Sequence, residues 1–226
     1  LWAWIKDRAG NVSEPARLLL GLDTSPSTVT LRINGGASHT QTADVLLQVD
    51  VDDATDPPEA IWISNSATFG TQALAFAPQL THVLDSASVD GTKTVYLRTE
   101  DRAGNLGDTA ATIVLDTVPP VATLSVAAEQ DDTIFQAAAE VTVTTQDPSA
   151  VAATVGVVPL DCAGAAYAPL AIAAPLVTTI ELPMEEGWQT IFACVKDAAG
   201  WTTSLAHTTY LDPFDPAATQ LLVPGN

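Results

Sequence analysis

Along residues 24–117, apolar and polar positions alternate in short runs separated by turn-forming clusters. In "DVLLQVDV" (Asp44–Val51), Val45, Leu47, Val49 and Val51 share one face, and Leu46 is the only apolar residue on the other. That period of two is the mark of a half-buried strand. "TVTLR" (Thr28–Arg32) reads the same way and is stopped by "NGG" at Asn34–Gly36, which is turn chemistry. "IWISNS" (Ile61–Ser66) sets Ile61 and Ile63 inward and Trp62 outward, and "LTHVLD" (Leu80–Asp85) is a weaker strand. Farther on, Val95, Leu97 and Thr99 face in while Tyr96, Arg98 and Glu100 face out, and Thr109–Asp116 turns Ile113 and Leu115 inward. Residues 118–212 repeat the plan with strand-like runs at Val121–Val126, Glu140–Gln146, Leu176–Leu182, Thr190–Lys196 and Thr203–Asp212. The stretch Ala163–Pro175 has no clean period, and Pro169 and Pro175 punctuate it, so it reads as an irregular edge or loop. With about seven short strands per period and no helical pattern, the chain is expected to be all-β, built of antiparallel β-sandwiches.

The periodicity extends to whole domains. "LWAWIKDRAGN" (Leu1–Asn11), "VYLRTEDRAGN" (Val95–Asn105) and "IFACVKDAAGW" (Ile191–Trp201) are three copies of one phrase. An offset of 96 residues relates Asp101 to Asp197, and the same offset relates Gly91 to Gly187, Gly104 to Gly200 and Asp116 to Asp212. A period that long is a domain and not a solenoid rung. The predicted division is 1–23 as the last two strands of a preceding module, 24–117 and 118–212 as complete modules, and 213–226 as a linker and first strand of another. On this reading the sequence is a window on a longer array, and its end strands are candidates for completing sandwiches of neighbouring chains.

"GTKTVYLRTEDRAGN" followed by "IVLDTVPP", with "INGGA" at the start and "IWISNS" in the middle, resembles the Ig-like modules that occur in tandem in large bacterial secreted and cell-surface proteins. The likeness covers 24–117 well, 118–212 in outline, and 1–23 as the end of a module. It implies tandem Ig-like sandwiches of about seven strands each and an extracellular or cell-surface location. It also bears on the only two cysteines, Cys162 and Cys194. The strand order of such a sandwich sets their strands side by side, so a disulfide is expected in an oxidising compartment, the alternative being two free thiols.

The repeated phrase joins the penultimate strand to the last. Gly10, Gly104 and Gly200 would supply the positive φ of a tight turn, and Asp7, Asp101 and Asp197 can accept from the turn's own N–H groups. A second role is open to the same acids. With the linker acids Asp23, Asp116 and Asp212 they would offer oxygen ligands to Ca²⁺ near the domain junctions, as modules of this kind sometimes do. The acidic loop around Asp50, Asp52, Asp53 and Asp56 poses the same choice between solvated loop and cation site, although it lacks the EF-hand pattern.

Charge then narrows the partners. The net charge of −19 repels phosphate backbones and anionic lipid and favours cations or basic partners. No run of about 18 apolar residues is present to span a bilayer. His39, His82 and His207 are scattered, and no G-x-S-x-G elbow appears, so no enzymatic role is predicted. Trp2, Tyr96 and Phe192 occupy one outward column in the three copies, with Trp4 and Trp62 beside it. These residues form a possible interface or ordinary cross-strand pairs. Two functions follow as expectations: a stalk, spacer or filament segment that meets neighbouring copies of itself, or an adhesin module holding a carbohydrate or protein of a host or matrix through loop tips or that aromatic face.

Overall fold

The computed structural model describes residues 1–19, 21–52, 58–85, 90–128, 132–169 and 175–213. It contains no α-helix among them, only a single 3-10 turn at Asn34–Gly36. Two short strands, β1 (Trp2–Ala3) and β2 (Ala16–Arg17), pair antiparallel at the N-terminus. The first repeat carries β3 (Val29–Ile33), β4 (His39–Thr40), β5 (Asp44–Val51), β6 (Ala60–Ser64), β7 (Leu74–Ala75), β8 (Gln79–Val83), β9 (Gly91–Glu100) and β10 (Leu106–Leu115). The second carries β11 (Ala122–Val126), β12 (Thr133–Ile134), β13 (Ala138–Thr145), β14 (Ala150–Gly156), β15 (Ala168–Pro169), β16 (Leu176–Glu181), β17 (Gly187–Asp197) and β18 (Thr202–Leu211).

Strand for strand the two repeats have one topology. The first forms the sheets β3-β5-β8 and β4-β10-β9-β6-β7, and the second forms β11-β13-β16 and β12-β18-β17-β14-β15. Every label in the second is the first advanced by eight. A three-stranded sheet facing a larger one, with a short strand added parallel to the last (β4 on β10, β12 on β18), is the Ig-like sandwich. By compactness the chain divides into two units, Leu1–Gly36 with Asp44–Asp85 and Lys93–Thr112, and Ala37–Ala43 with Ser86–Thr92 and Ile113–Asn226.

Alternation builds the core. Val45, Leu47 and Val49 of β5 and Val95 and Leu97 of β9 are buried, whereas Leu46 is exposed. In the second repeat one cluster joins Ala139 and Val141 of the smaller sheet to Ile134, Ile191 and Leu211 of the larger, with Leu182. A second cluster joins Val143 to Ala150, Ala153, Ala193 and Val195. Strand β14 was not visible in the pattern because it presents small residues, Ala150 and Ala153, to the core. The Ala163–Pro175 stretch contributes β15, which pairs with β14; residues 170–174 lie outside the described residues, as do Asp53, Asp56 and 214–226.

Cys162 and Cys194 form a disulfide across 32 residues. Cys194 stands on the face of β17 opposite Ala193 and Val195, yet it is completely buried. In the chain-entropy model a loop of this length contributes about 3–4 kcal/mol. Cys162→Ser with Cys194→Ser is therefore expected to lower the second repeat's unfolding free energy by about that amount. Denaturant titration would measure it, and intact mass should show a gain of two hydrogens on reduction with no intermolecular species.

Candidate functional site

The three copies of the repeated phrase fold into one turn. In each, the Asp N–H donates to the carbonyl of the residue four positions on: Asp7 to Asn11 at 2.9 Å, Asp101 to Asn105 at 3.1 Å and Asp197 to Trp201 at 3.1 Å. The Asp carbonyl accepts from the Gly N–H, and Gly10, Gly104 and Gly200 adopt φ of 98°, 87° and 97°. Only glycine takes that conformation without strain. The carboxylate closes the turn from inside. Asp101 Oδ1 accepts from the Ala103 and Asn105 N–H groups at 2.9 and 2.8 Å, and Oδ2 accepts from Asn105 Nδ2 at 2.8 Å. Asp7 is held the same way by Asn11, both contacts at 2.8 Å.

The third copy lacks half of this clasp. Trp201 N–H still reaches Asp197 Oδ1 at 2.8 Å, but an indole cannot replace the Asn amide. Asp197 Oδ2 is buried with no hydrogen-bond partner, and the residue is 1% exposed. The Trp201 indole N–H donates instead to the carbonyl of Asp116 at 2.9 Å. The two Asp residues consequently titrate in opposite directions. Burial pushes Asp101 up, but the Asn105 amide and the turn N–H groups outweigh it and hold it below its ordinary value. Burial pushes Asp197 up, the Trp201 and Gly200 N–H groups offset only part of that, and the Asp116 charge raises it further.

Of the linker acids, Asp116 therefore lies within electrostatic reach of Asp197. Asp23 closes a local turn onto the Ser25 N–H at 3.0 Å, and the Asp212 N–H bonds to the Ile134 carbonyl at 2.9 Å. Among the described residues no three His, Cys, Asp or Glu side chains converge. The connecting segment is tied down within the second unit. Thr117 N–H donates to Asp90 at 2.9 Å, and the Thr203 hydroxyl donates to the Pro120 carbonyl at 2.5 Å.

The predicted aromatic column divides. Trp2 and Trp4 are exposed at 59% and 61%, with the Arg17 guanidinium 5.5 Å from the Trp2 ring. Trp62, Tyr96 and Phe192 are half-buried. Trp62 pairs across strands with Arg98, whose guanidinium grips Asp108 at 2.7 and 2.8 Å and lies 4.6 Å from the Phe69 ring. Trp62, Phe69 and Arg98 border a groove of about 440 Å³. Sequence reasoning missed Phe69 because it sits in a loop outside any alternating run. It also passed over Trp188, 70% exposed and edge-on to its strand partner Tyr210 at 5.3 Å.

No protein-family model matches the chain, and no curated protein matches it in sequence. Similar solved structures include fibronectin(III)-like modules of CbhA from Clostridium thermocellum, 13% identical, covering 82% of this chain and 97% of that one with a TM-score of 0.47. Others are a tetra-tandem repeat in the extending region of a large adhesion protein (24%, 94% and 56%, 0.32) and a Ca²⁺-stabilized adhesin that helps an Antarctic bacterium bind ice (15%, 93% and 55%, 0.39). The chain spans just over half the length of these last two.

The two clasps should respond differently to one substitution. In chelator at neutral pH, Asp101→Asn removes the acceptor for the Asn105 amide and is expected to lower the melting midpoint by several degrees. Asp197→Asn removes an unpartnered buried charge beside Asp116 and is expected to leave the midpoint unchanged or raised. The signs also part with pH. Asp101 contributes fully above its ordinary value of 3.8 and loses that as pH falls through its lowered value. Asp197 contributes fully below 3.8 and loses that as pH rises through its raised value. Carboxyl-carbon NMR titration of the two residues would read both directions.

Proposed function

We propose that this chain is a structural segment, a stalk or spacer, of a bacterial extracellular or cell-surface protein. Residues 24–117 and 118–212 are its complete modules, 1–23 is the closing hairpin of a preceding one, and 213–226 leads into another. The observation that carries the reading is the bonded connecting segment. Asp116–Pro120 is held by Asp90, Trp201 and Thr203, and Pro119 and Pro120 fix φ within it, whereas a flexible tether would have a solvated backbone. Chemistry at a pocket is not what such a segment requires; a set distance between its ends is. Its neighbours would be further copies of the module. The surface location rests on the module resemblance.

A cation belongs to the same proposal. Asp197 Oδ2 is a buried, unpartnered oxygen that feels the charge of a second acid, Asp116, and a hard divalent ion neutralises such a charge. Ca²⁺ there would supply the positive charge that the missing Asn amide does not.

Two measurements test this reading. Hydrogen exchange at the Thr117 amide should be slow, and Trp201→Ala with Pro119→Gly should accelerate it. Exchange already fast in the wild type would refute the spacer. Calcium at about a hundred times its dissociation constant should stabilise the fold by about 2.7 kcal/mol and chelation should reverse it. Asp197→Asn should abolish the response and Asp212→Asn should keep it. Equal melting with calcium and with chelator would remove the cation and leave the spacer standing.

A further inference from the structure

The groove beside Trp62 lies within the first unit, bordered by Trp62, Phe69, Thr71, Arg98, Glu100 and Gly104. We propose that it is a binding site for a neutral saccharide.

The walls are built before any ligand arrives. Trp62 and Arg98 are fixed opposite one another by the β6–β9 register. The loop that delivers Phe69 is closed on itself, with the Ser64 hydroxyl donating to the Thr68 carbonyl at 2.9 Å and the Ser66 and Thr68 hydroxyls 2.9 Å apart. Arg98 is immobilised between the Phe69 ring and both oxygens of Asp108. Two aromatic surfaces are thus held at the edge of a cavity whose 440 Å³ falls in the range of small-molecule sites, about 300–1,000 Å³.

The chemistry of the lining selects the class. An anion finds no unpaired cation, because Asp108 already neutralises Arg98, and Glu100 and the net charge of −19 repel it. A purely apolar ligand would desolvate Glu100 and Thr71 without giving them partners, which is costly. A sugar ring satisfies both halves. Its C–H face covers an aromatic ring, and its hydroxyls donate to the Glu100 carboxylate and meet the Thr71 hydroxyl.

The second repeat shows that the module does not need this groove in order to fold. At the offset of 96 residues Arg98 becomes Cys194 and Glu100 becomes Lys196, and the strand partner of Cys194 is Thr154 where Arg98 has Trp62. Cys162 is bonded there, and Lys196 lies 5.9 Å from the Tyr167 ring. The same place on the same sheet carries a disulfide in one repeat and a groove with aromatic walls in the other.

The test is isothermal titration of the full chain with neutral gluco-, galacto-, manno- and xylo-oligosaccharides, and with sialylated and uronic-acid glycans for comparison. Saturable binding to at least one neutral glycan, insensitive to added salt, is expected. Trp62→Ala, Phe69→Ala and Glu100→Gln should each weaken it by about tenfold or more, and Trp188→Ala, at an exposed tryptophan of the second repeat outside the groove, should leave it intact. Glu100→Gln is nearly isosteric and keeps the result interpretable should an aromatic variant misfold. The proposal fails if no neutral glycan binds, if only anionic glycans bind and salt disperses them, or if Trp62→Ala and Glu100→Gln bind as the wild type does.

Discussion

A carboxylate folded into a five-residue turn sets the register of the longest hairpin in each repeat. Backbone N–H groups in so tight a turn point inward, where water does not reach, and each would cost free energy if left bare. Asp101 takes two of them on one oxygen and the Asn105 amide on the other. In the second repeat, with the corresponding turn closed at Asp197, β17 and β18 pair without a break from Gly187↔Leu211 to Lys196↔Thr202. A slip by one position would turn Ile191, Ala193 and Val195 out of the core. The repetition of the phrase thus reflects the repetition of a structural problem.

The two repeats solve that problem with different completeness and spend their outer faces differently. Where the first keeps Asn105, the second has Trp201, which abandons one carboxylate oxygen and reaches the connecting segment instead. Where the first opens a groove between Trp62 and Phe69, the second closes a disulfide. The core pattern tolerates neither change, because it is bound to the strand period. Outward positions are free to diverge, and divergence there is where individual modules acquire their own chemistry.

Much of this was legible in the sequence. The runs 44–51, 91–100 and 176–181 announced themselves through alternation, because a β-branched or leucyl side chain on every second residue has no other stable placement. Strand β14 did not, since Ala150 and Ala153 carry too little apolar surface to mark a face. The cysteines could be paired, but the full burial of Cys194 depends on the chain around Cys162 that covers it. The substitution of Trp201 for Asn was plain in the sequence, whereas its effect, an orphaned Asp197 oxygen, required the indole's actual direction toward the Asp116 carbonyl. Phe69 was silent for a similar reason: its position follows from hydroxyl bonds within a loop, which leave no period.

The short parallel strands carry a consequence for load. In the first repeat β4 lies near the entry of the chain and β10 at its exit, joined by the bonds Val114 N–H to Ser38 carbonyl and Asp116 N–H to Thr40 carbonyl, both 3.0 Å. In the second, Tyr210 and Asp212 bond to Asp132 and Ile134 at 3.1 and 2.9 Å. Tension applied to the two ends of a repeat pulls parallel neighbours in opposite directions along their length. These bonds are then sheared together instead of being unzipped one after another, so rupture must break them at once, and a two-residue strand becomes the latch that decides how much tensile force the repeat withstands before its core is exposed.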